Sequence, residues 1–210
     1  ACMLSTMQEG PFSVARILEF GITAHANTKC TTWRASGAEE TTFAEIGARA
    51  AAFAHALHND LGIDGDQRVS TLLYNCAEHI EVMFAVAAKG AVFNPLNVQL
   101  MTDQIAYVVN HSESEVVVAD PRLAKKLGTI LQDCPTVRAV AFTGVEPLDD
   151  AASHLPDSVK VYSYEQLLDG RPTSYPWPEL PENTAAALVY STATTGAPKG
   201  VAYSHRSLWL

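Results

Sequence analysis

The chain has 210 residues, 48% of them hydrophobic and 18% charged, with a formal net charge of −9. That apolar content is enough for a folded core, while an acidic balance with no basic cluster argues against a nucleic-acid or anionic-membrane surface. The longest apolar runs, such as Val82 to Ala88, are far too short to span a bilayer, and the first residues lack the basic start and apolar stretch of a signal peptide. A cytoplasmic protein is the expectation.

Residues 1–12 read as irregular, and Ser13 to Phe20 as a short amphipathic helix through Val14, Ile17 and Leu18. Thr31 to Arg34 and Glu40 to Thr42 flank a Ser36-Gly37 turn, which predicts a β-hairpin. Thr42 and Glu45 make a capping box. Phe43, Ile46, Ala50, Phe53 and Leu57 then recur at spacings of three and four, so one face of a helix over 43–58 is buried. After a turn rich in Gly and Asp, Arg68 to Tyr74 reads as a strand. Asn75 and Glu78 are read as the cap of a helix that runs to Ala88 and closes at Gly90; it is apolar on most sides and belongs between layers.

Val92-Phe93 is a short strand broken by Asn94-Pro95-Leu96-Asn97, and Thr102 is read as the cap of a helix to Asn110. Glu115 to Ala119 is a Val-rich strand of the kind buried on both faces. Asp120-Pro121 pairs an N-cap with proline at the first helical position, for a helix to Gln132, and Thr136 to Phe142 is another buried strand. Ser163 and Gln166 cap one more short helix, ended by Gly170. Strand and helix alternating in this way predict an α/β fold: a doubly wound, mostly parallel sheet with helices on both faces. On this reading residues 1–170 are an N-terminal α/β subdomain. Residues 171–184, with Pro172, Pro176, Pro178 and Pro181 around Trp177, are a connector or lid, and 185–210 open the next subdomain.

The chemistry concentrates between Tyr190 and Gly200. An apolar run from Ala185 to Tyr190 leads into Ser191 to Thr195, five residues with four hydroxyls, followed by Gly196, Pro198, Lys199 and Gly200. Hydroxyls and backbone N–H groups suit a polyphosphate, glycines allow close approach, and Lys199 supplies a compact charge. A Walker A loop would run G-x-x-x-x-G-K-[ST] into a helix. Here Pro198 precedes the lysine, Gly200 follows it, and Val201-Ala202-Tyr203 is β-forming, so strand, loop, strand is predicted. A Thr/Gly-rich surface hairpin with a solvated lysine has the same composition.

Tyr190 to Gly200, continuing through Val201-Ala202-Tyr203-Ser204-His205-Arg206, resembles the phosphate-binding signature of the adenylate-forming superfamily, and specifically of its acyl-CoA synthetases: Tyr-Thr-Ser-Gly-Thr-Thr-Gly-x-Pro-Lys-Gly. The likeness is collinear through Thr42 to Ile46, Asp66 to Val69, Gly90 to Val92, Pro95 to Asn97 and Ile105 to His111. It implies ATP- and Mg²⁺-dependent activation of a small-molecule carboxylic acid to an acyl-adenylate, then transfer to coenzyme A. The Tyr203 to Arg206 and Ile105 to His111 stretches look most like those of enzymes acting on fatty acids. By this resemblance Lys199 is the catalytic residue, pairing with the β- and γ-phosphates. Ser191, Thr192, Ala193, Thr194, Thr195 and Gly196 wrap the nucleotide, Ser191 reaches Mg²⁺, and Pro198 fixes the approach of Lys199. No general base is needed, because the carboxylate arrives ionised.

Two residues depart from the pattern. Thr192-Ala193 replaces Ser-Gly, and Ala193 costs about 1 kcal/mol if the family's glycine uses φ > 0. Gln99 stands where many relatives have arginine. Relatives are well over twice this length, so the chain reads as an N-terminal fragment, inactive alone, whose partner is the remainder of its polypeptide. A homodimer is implied by resemblance only. Competing readings are a non-catalytic nucleotide-binding or interaction module with a degenerate loop, a fatty-acyl-AMP ligase or peptide-synthetase adenylation domain without CoA transfer, and an aryl-CoA ligase.

Other residues read blandly. Cys2, Cys30, Cys76 and Cys134 are scattered and expected to be reduced structural thiols. His55 and His58 read as helix-surface residues, Trp33, Trp177 and Trp209 as packing residues, and His205 as a residue that caps or packs at a helix start.

Overall fold

The computed structural model describes residues 3, 10–144, 148–191 and 197–210. The elements in order are α1 (Val14–Ala24), β1 (Lys29–Arg34), β2 (Gly37–Thr42), α2 (Phe43–Asn59), β3 (Arg68–Leu72), α3 (Ala77–Lys89), β4 (Val92–Pro95), α4 (Thr102–His111) and β5 (Ser114–Ala119). A 3₁₀ turn over Pro121–Leu123 leads into α5 (Ala124–Leu131), then β6 (Ala139–Phe142), α6 (Asp149–Ser153), β7 (Lys160–Ser163), α7 (Tyr164–Leu168), β8 (Ala185–Tyr190), β9 (Gly200–Ser204) and α8 (His205–Trp209).

Strand β5 shows how the layers form. Its side chains alternate, so Val116 and Val118 join one core with α1, α2, α3 and α7, while Val117 and Ala119 join a second with α4, α5 and α6. The sheet between them has seven strands in the order β7-β6-β5-β3-β4-β8-β9. Every pairing is parallel except that of β8 with β9. The first strand of this sheet, β3, sits between the second and the third, and the chain winds outward from there in both directions. This is the doubly wound arrangement with its switch point between β3 and β5. β1 and β2 form the separate hairpin, in antiparallel register from Lys29↔Thr42 to Arg34↔Gly37.

Local chemistry explains most boundaries. Thr42 caps α2 as expected: its Oγ1 accepts the Glu45 N–H at 3.2 Å, and the Glu45 carboxylate accepts the Thr42 N–H at 2.7 Å. Gly90 ends α3 in the left-handed region at φ 100°, which glycine adopts without a Cβ penalty. Three expected boundaries are corrected. The N-cap of α3 is Cys76 rather than Asn75, and the N–H of Ala77 is satisfied by Thr32 Oγ1 at 3.0 Å, a hydroxyl donated by the hairpin. Met101, not Thr102, is the N-cap of α4; its N–H is taken by the Gln104 side chain at 3.2 Å, leaving Thr102 as the first helical residue. β4 runs through Pro95 instead of breaking at Asn94, because Asn94 is buried and its Nδ2 donates to Ser70 Oγ at 2.9 Å and Ser112 Oγ at 3.0 Å beneath α4.

Two buried carboxylates tie α3 to its neighbours. Glu78 pairs with Arg34 of the hairpin at 2.6 Å. Glu81 accepts from Arg49 of α2 at 2.9 Å and from the Tyr164 hydroxyl of α7 at 2.9 Å. The proline-rich segment packs more closely than its composition suggests: Tyr175 and Trp177 lie against the larger core, and Ser174 O accepts a hydrogen bond from His55 Nε2 at 2.9 Å. His55 is therefore partly covered, unlike His58, which stays exposed and pairs with Asp64. Trp177 packs as expected and Trp209 stacks on Phe12 at 5.6 Å, but Trp33 is 80% exposed on the hairpin.

Candidate functional site

The phosphate-loop candidate lies between two antiparallel strands. β8 is seated on the sheet by its parallel contact with β4, Phe93 opposite Ala187, and β9 returns beside it with Tyr190 opposite Gly200. Two hydrogen bonds close the neck of the loop: the Ser191 N–H donates to Lys199 O at 3.0 Å, and the Lys199 N–H donates to Ser191 Oγ at 3.2 Å. The two strands expected on either side of the loop are thus present and antiparallel.

Of the site residues expected from sequence, Ser191 and Lys199 are brought together at this neck. Thr192, Ala193, Thr194, Thr195 and Gly196 lie outside the described residues. Pro198 is buried, while Lys199 is exposed and its ammonium makes no ion pair among the described residues. A buried proline before an exposed lysine fixes the backbone from which the charge projects. Ser191 Oγ accepts one N–H and so keeps a lone pair and its own proton for a further partner.

Two anchors hold the hairpin, and the first, a contact between residues 79 apart, was missed by sequence reasoning. The Tyr190 hydroxyl meets His111 Nδ1 of α4 at 2.7 Å. His205, at the start of α8, is fully buried, and its Nδ1 accepts the Val14 N–H at 3.2 Å. Burial lowers the His205 pKa from its ordinary value, so the ring is held neutral. It packs, as expected. A separate open pocket of about 370 Å³, lined by Cys30, Cys76, His79, Ile80, Met83 and Phe93 among others, contains no cation for a phosphate. Burial pushes the Cys76 thiol there up to about 12, which keeps it protonated and fits the structural role expected of it.

Residues 22–209 match the family described as AMP-binding enzyme. The chain belongs to that family. It is 32% identical over 206 residues to the medium-chain-fatty-acid–CoA ligase of Ectopseudomonas oleovorans, covering 98% of this chain and 37% of that protein. It is 30% identical over 206 residues, with the same coverage, to the 3-methylmercaptopropionyl-CoA ligase of Ruegeria lacuscaerulensis. Its fold is similar to that of the anthranilate CoA ligase AuaEII in complex with anthranoyl-AMP, with a TM-score of 0.81 at 20% identity over 97% of this chain and 37% of that one. The chain therefore spans about 37% of the length of these relatives. No helix among its described residues is long and apolar enough to cross a membrane.

The described neck also bears on the groups this family implies. An exposed lysine beside a backbone-closed loop suits a polyphosphate. Among the described residues no cluster of three or more His, Cys, Asp or Glu could hold a metal ion. Of the described neck residues, Ser191 is the one whose side chain has a lone pair suited to Mg²⁺, which binds hard oxygen donors.

Proposed function

We propose that this chain is the part of an ATP-dependent acid–CoA ligase that grips the triphosphate, and that the acid is a fatty acid. The observation that carries the reading is the neck: Ser191 and Lys199 fasten the signature loop by two backbone-directed hydrogen bonds while Lys199 remains exposed and unpaired among the described residues. The named ligase relatives support the reaction class, and the likeness to a medium-chain-fatty-acid–CoA ligase supports the acyl class.

The carboxylate attacks the α-phosphate and pyrophosphate departs, so negative charge grows on the leaving group. Lys199 stabilises that charge, and the closed neck fixes the backbone from which its ammonium reaches the leaving group. Ser191 would offer its hydroxyl to Mg²⁺, which when bound would neutralise phosphate charge. The acyl group of the adenylate then passes to the thiol of coenzyme A, and AMP leaves. The parts that select the acid and carry out the second step belong to the remainder of the polypeptide, and the 210-residue chain alone does not turn over.

The test is acid-dependent ATP–pyrophosphate exchange by the full-length protein. Lys199→Ala should lower the exchange rate by about 10²-fold, the size of loss typical for one preorganised charge-stabilising donor, while the melting temperature moves little. Equal loss of rate and folding would mark Lys199 as structural. Robust exchange by the isolated 210 residues would refute the division of labour.

A further inference from the structure

Tyr190 is the last residue of β8 before the loop, and its ring is held from two sides. Across the hairpin it lies over Gly200, where an added Cβ would stand 3.1 Å from its Cε1 and Cζ atoms. On the sheet face, its hydroxyl meets His111 Nδ1 at 2.7 Å, and the two rings meet edge to face at 5.7 Å and 89°. Tyr107, one helical turn earlier on α4, lies against His111 with ring centroids 5.5 Å apart. Burial raises the Tyr190 pKa, so the phenol keeps its proton.

The C-terminal turn of α4 is itself fastened. Asn110 Nδ2 donates to Asp133 O at 2.7 Å, and Ser112, which follows the helix, joins the buried Ser70, Asn94 and Ser114 cluster beneath it. His111 is thus presented from a fixed post on the sheet. The next residue after Tyr190 is Ser191, whose N–H and Oγ close the loop onto Lys199. A change in the Tyr190 ring is transmitted through one peptide unit to the neck.

We infer that His111 is a positioning residue for the nucleotide: through the Tyr190 hydroxyl it sets the orientation of the loop neck that presents Lys199. His111 meets the described neck through Tyr190 and acts through that residue. The inference rests on the triphosphate-binding reading for its kinetic readout but not for its structural one. Displacing a supporting group in this way costs productive geometry more than fold.

The experiment uses the full-length protein with Tyr190→Phe, His111→Ala and His111→Asn. Phenylalanine keeps the ring and deletes the hydrogen bond. Asparagine places an amide atom near the position of Nδ1 and retains a bond to the phenol. The expected result is a KM for ATP raised about 5- to 10-fold in Tyr190→Phe and His111→Ala, with the KM for the acid within about 2-fold of wild type, and recovery of most of the loss in His111→Asn. Amide hydrogen exchange at Ser191 and Lys199 should quicken by about 10-fold in Tyr190→Phe while core amides are unchanged. If wild-type protein shows no ATP-dependent exchange reaction, the functional reading fails and the amide measurement alone decides this one. Folded Tyr190→Phe protein with wild-type KM for ATP and wild-type exchange at both amides overturns the inference, as does His111→Asn no better than His111→Ala.

Discussion

Glu81 is 1% exposed, and only its partners make that tolerable. Burial raises the carboxyl above its ordinary value, and the Arg49 guanidinium and Tyr164 hydroxyl pull it back down. A charge so placed is costly when a partner is removed, because the remaining group stays buried without compensation. Arg49→Ala should therefore cost roughly 3 kcal/mol in urea denaturation, the low end of the range for breaking a buried pair, since Arg49 is about a third exposed and water can enter. The double replacement Arg49→Met with Glu81→Leu should recover much of that loss, because neither charge is then stranded. A single variant as stable as wild type would show that water already solvates Glu81. Arg49 also grips Glu165 of α7 at 2.7 Å, so the loss should loosen α7 as well.

The helix caps show which parts of an element sequence can reveal. Thr42 and Glu45 lie three residues apart on one chain segment, so their reciprocal bonds are written locally, and α2 begins where that pattern says. The cap of α3 comes from Thr32, 45 residues away, and Asn75 only resembles a cap because nothing local marks the hairpin's approach. Both threonines yield the same test. Thr42→Ala should cost about 1 kcal/mol. Thr32→Val, which keeps the shape and deletes the acceptor, should cost about 1–2 kcal/mol by orphaning the buried Ala77 N–H. A neutral Thr32→Val would mean that α3 does not depend on the hairpin. The same distinction explains the site. Hydroxyls, glycines and Lys199 form a contiguous stretch that a sequence can display, whereas His111 and Tyr190 are 79 residues apart and meet only in the folded chain. Prolines at 172, 176, 178 and 181 correctly marked irregular backbone, but not that Tyr175 and Trp177 between them would reach the core. The doubly wound sheet was legible because alternation and Val-rich strands are local. Its order, with β8 returning beside β4, depends on which edges remain to be paired.

At the scale of the molecule, a buried histidine and a half-buried one make the fold acid-sensitive well above the carboxylate range. His205 joins α8 to the start of α1 by accepting the Val14 N–H, and His79 joins α3 to β3 through Thr71 Oγ1 at 2.9 Å. Burial lowers the pKa of both from the ordinary 6.5. The unfolded chain therefore takes up protons as the pH falls below about 6.5 while the folded chain does not, so more protons are bound in the unfolded state and stability declines with falling pH. The limiting slope is about 1.4 kcal/mol per pH unit for each histidine. Carboxylates held low by hydrogen bonds, such as Glu45 and Glu182, also lose stability in acid, but only as their own ordinary value of 4.5 is approached. Between pH 6.5 and 5 the histidines set the fall, opposed by Glu81, whose raised carboxyl takes up its proton more readily in the folded chain. Urea midpoints measured at pH 7.5, 6.5 and 5.5 should fall through this window for wild type, and His79→Gln with His205→Gln should flatten the fall even though the variant starts less stable. A wild-type midpoint that holds to pH 5 would mean that both rings accept protons in the folded state, with the Val14 contact broken before the chain unfolds.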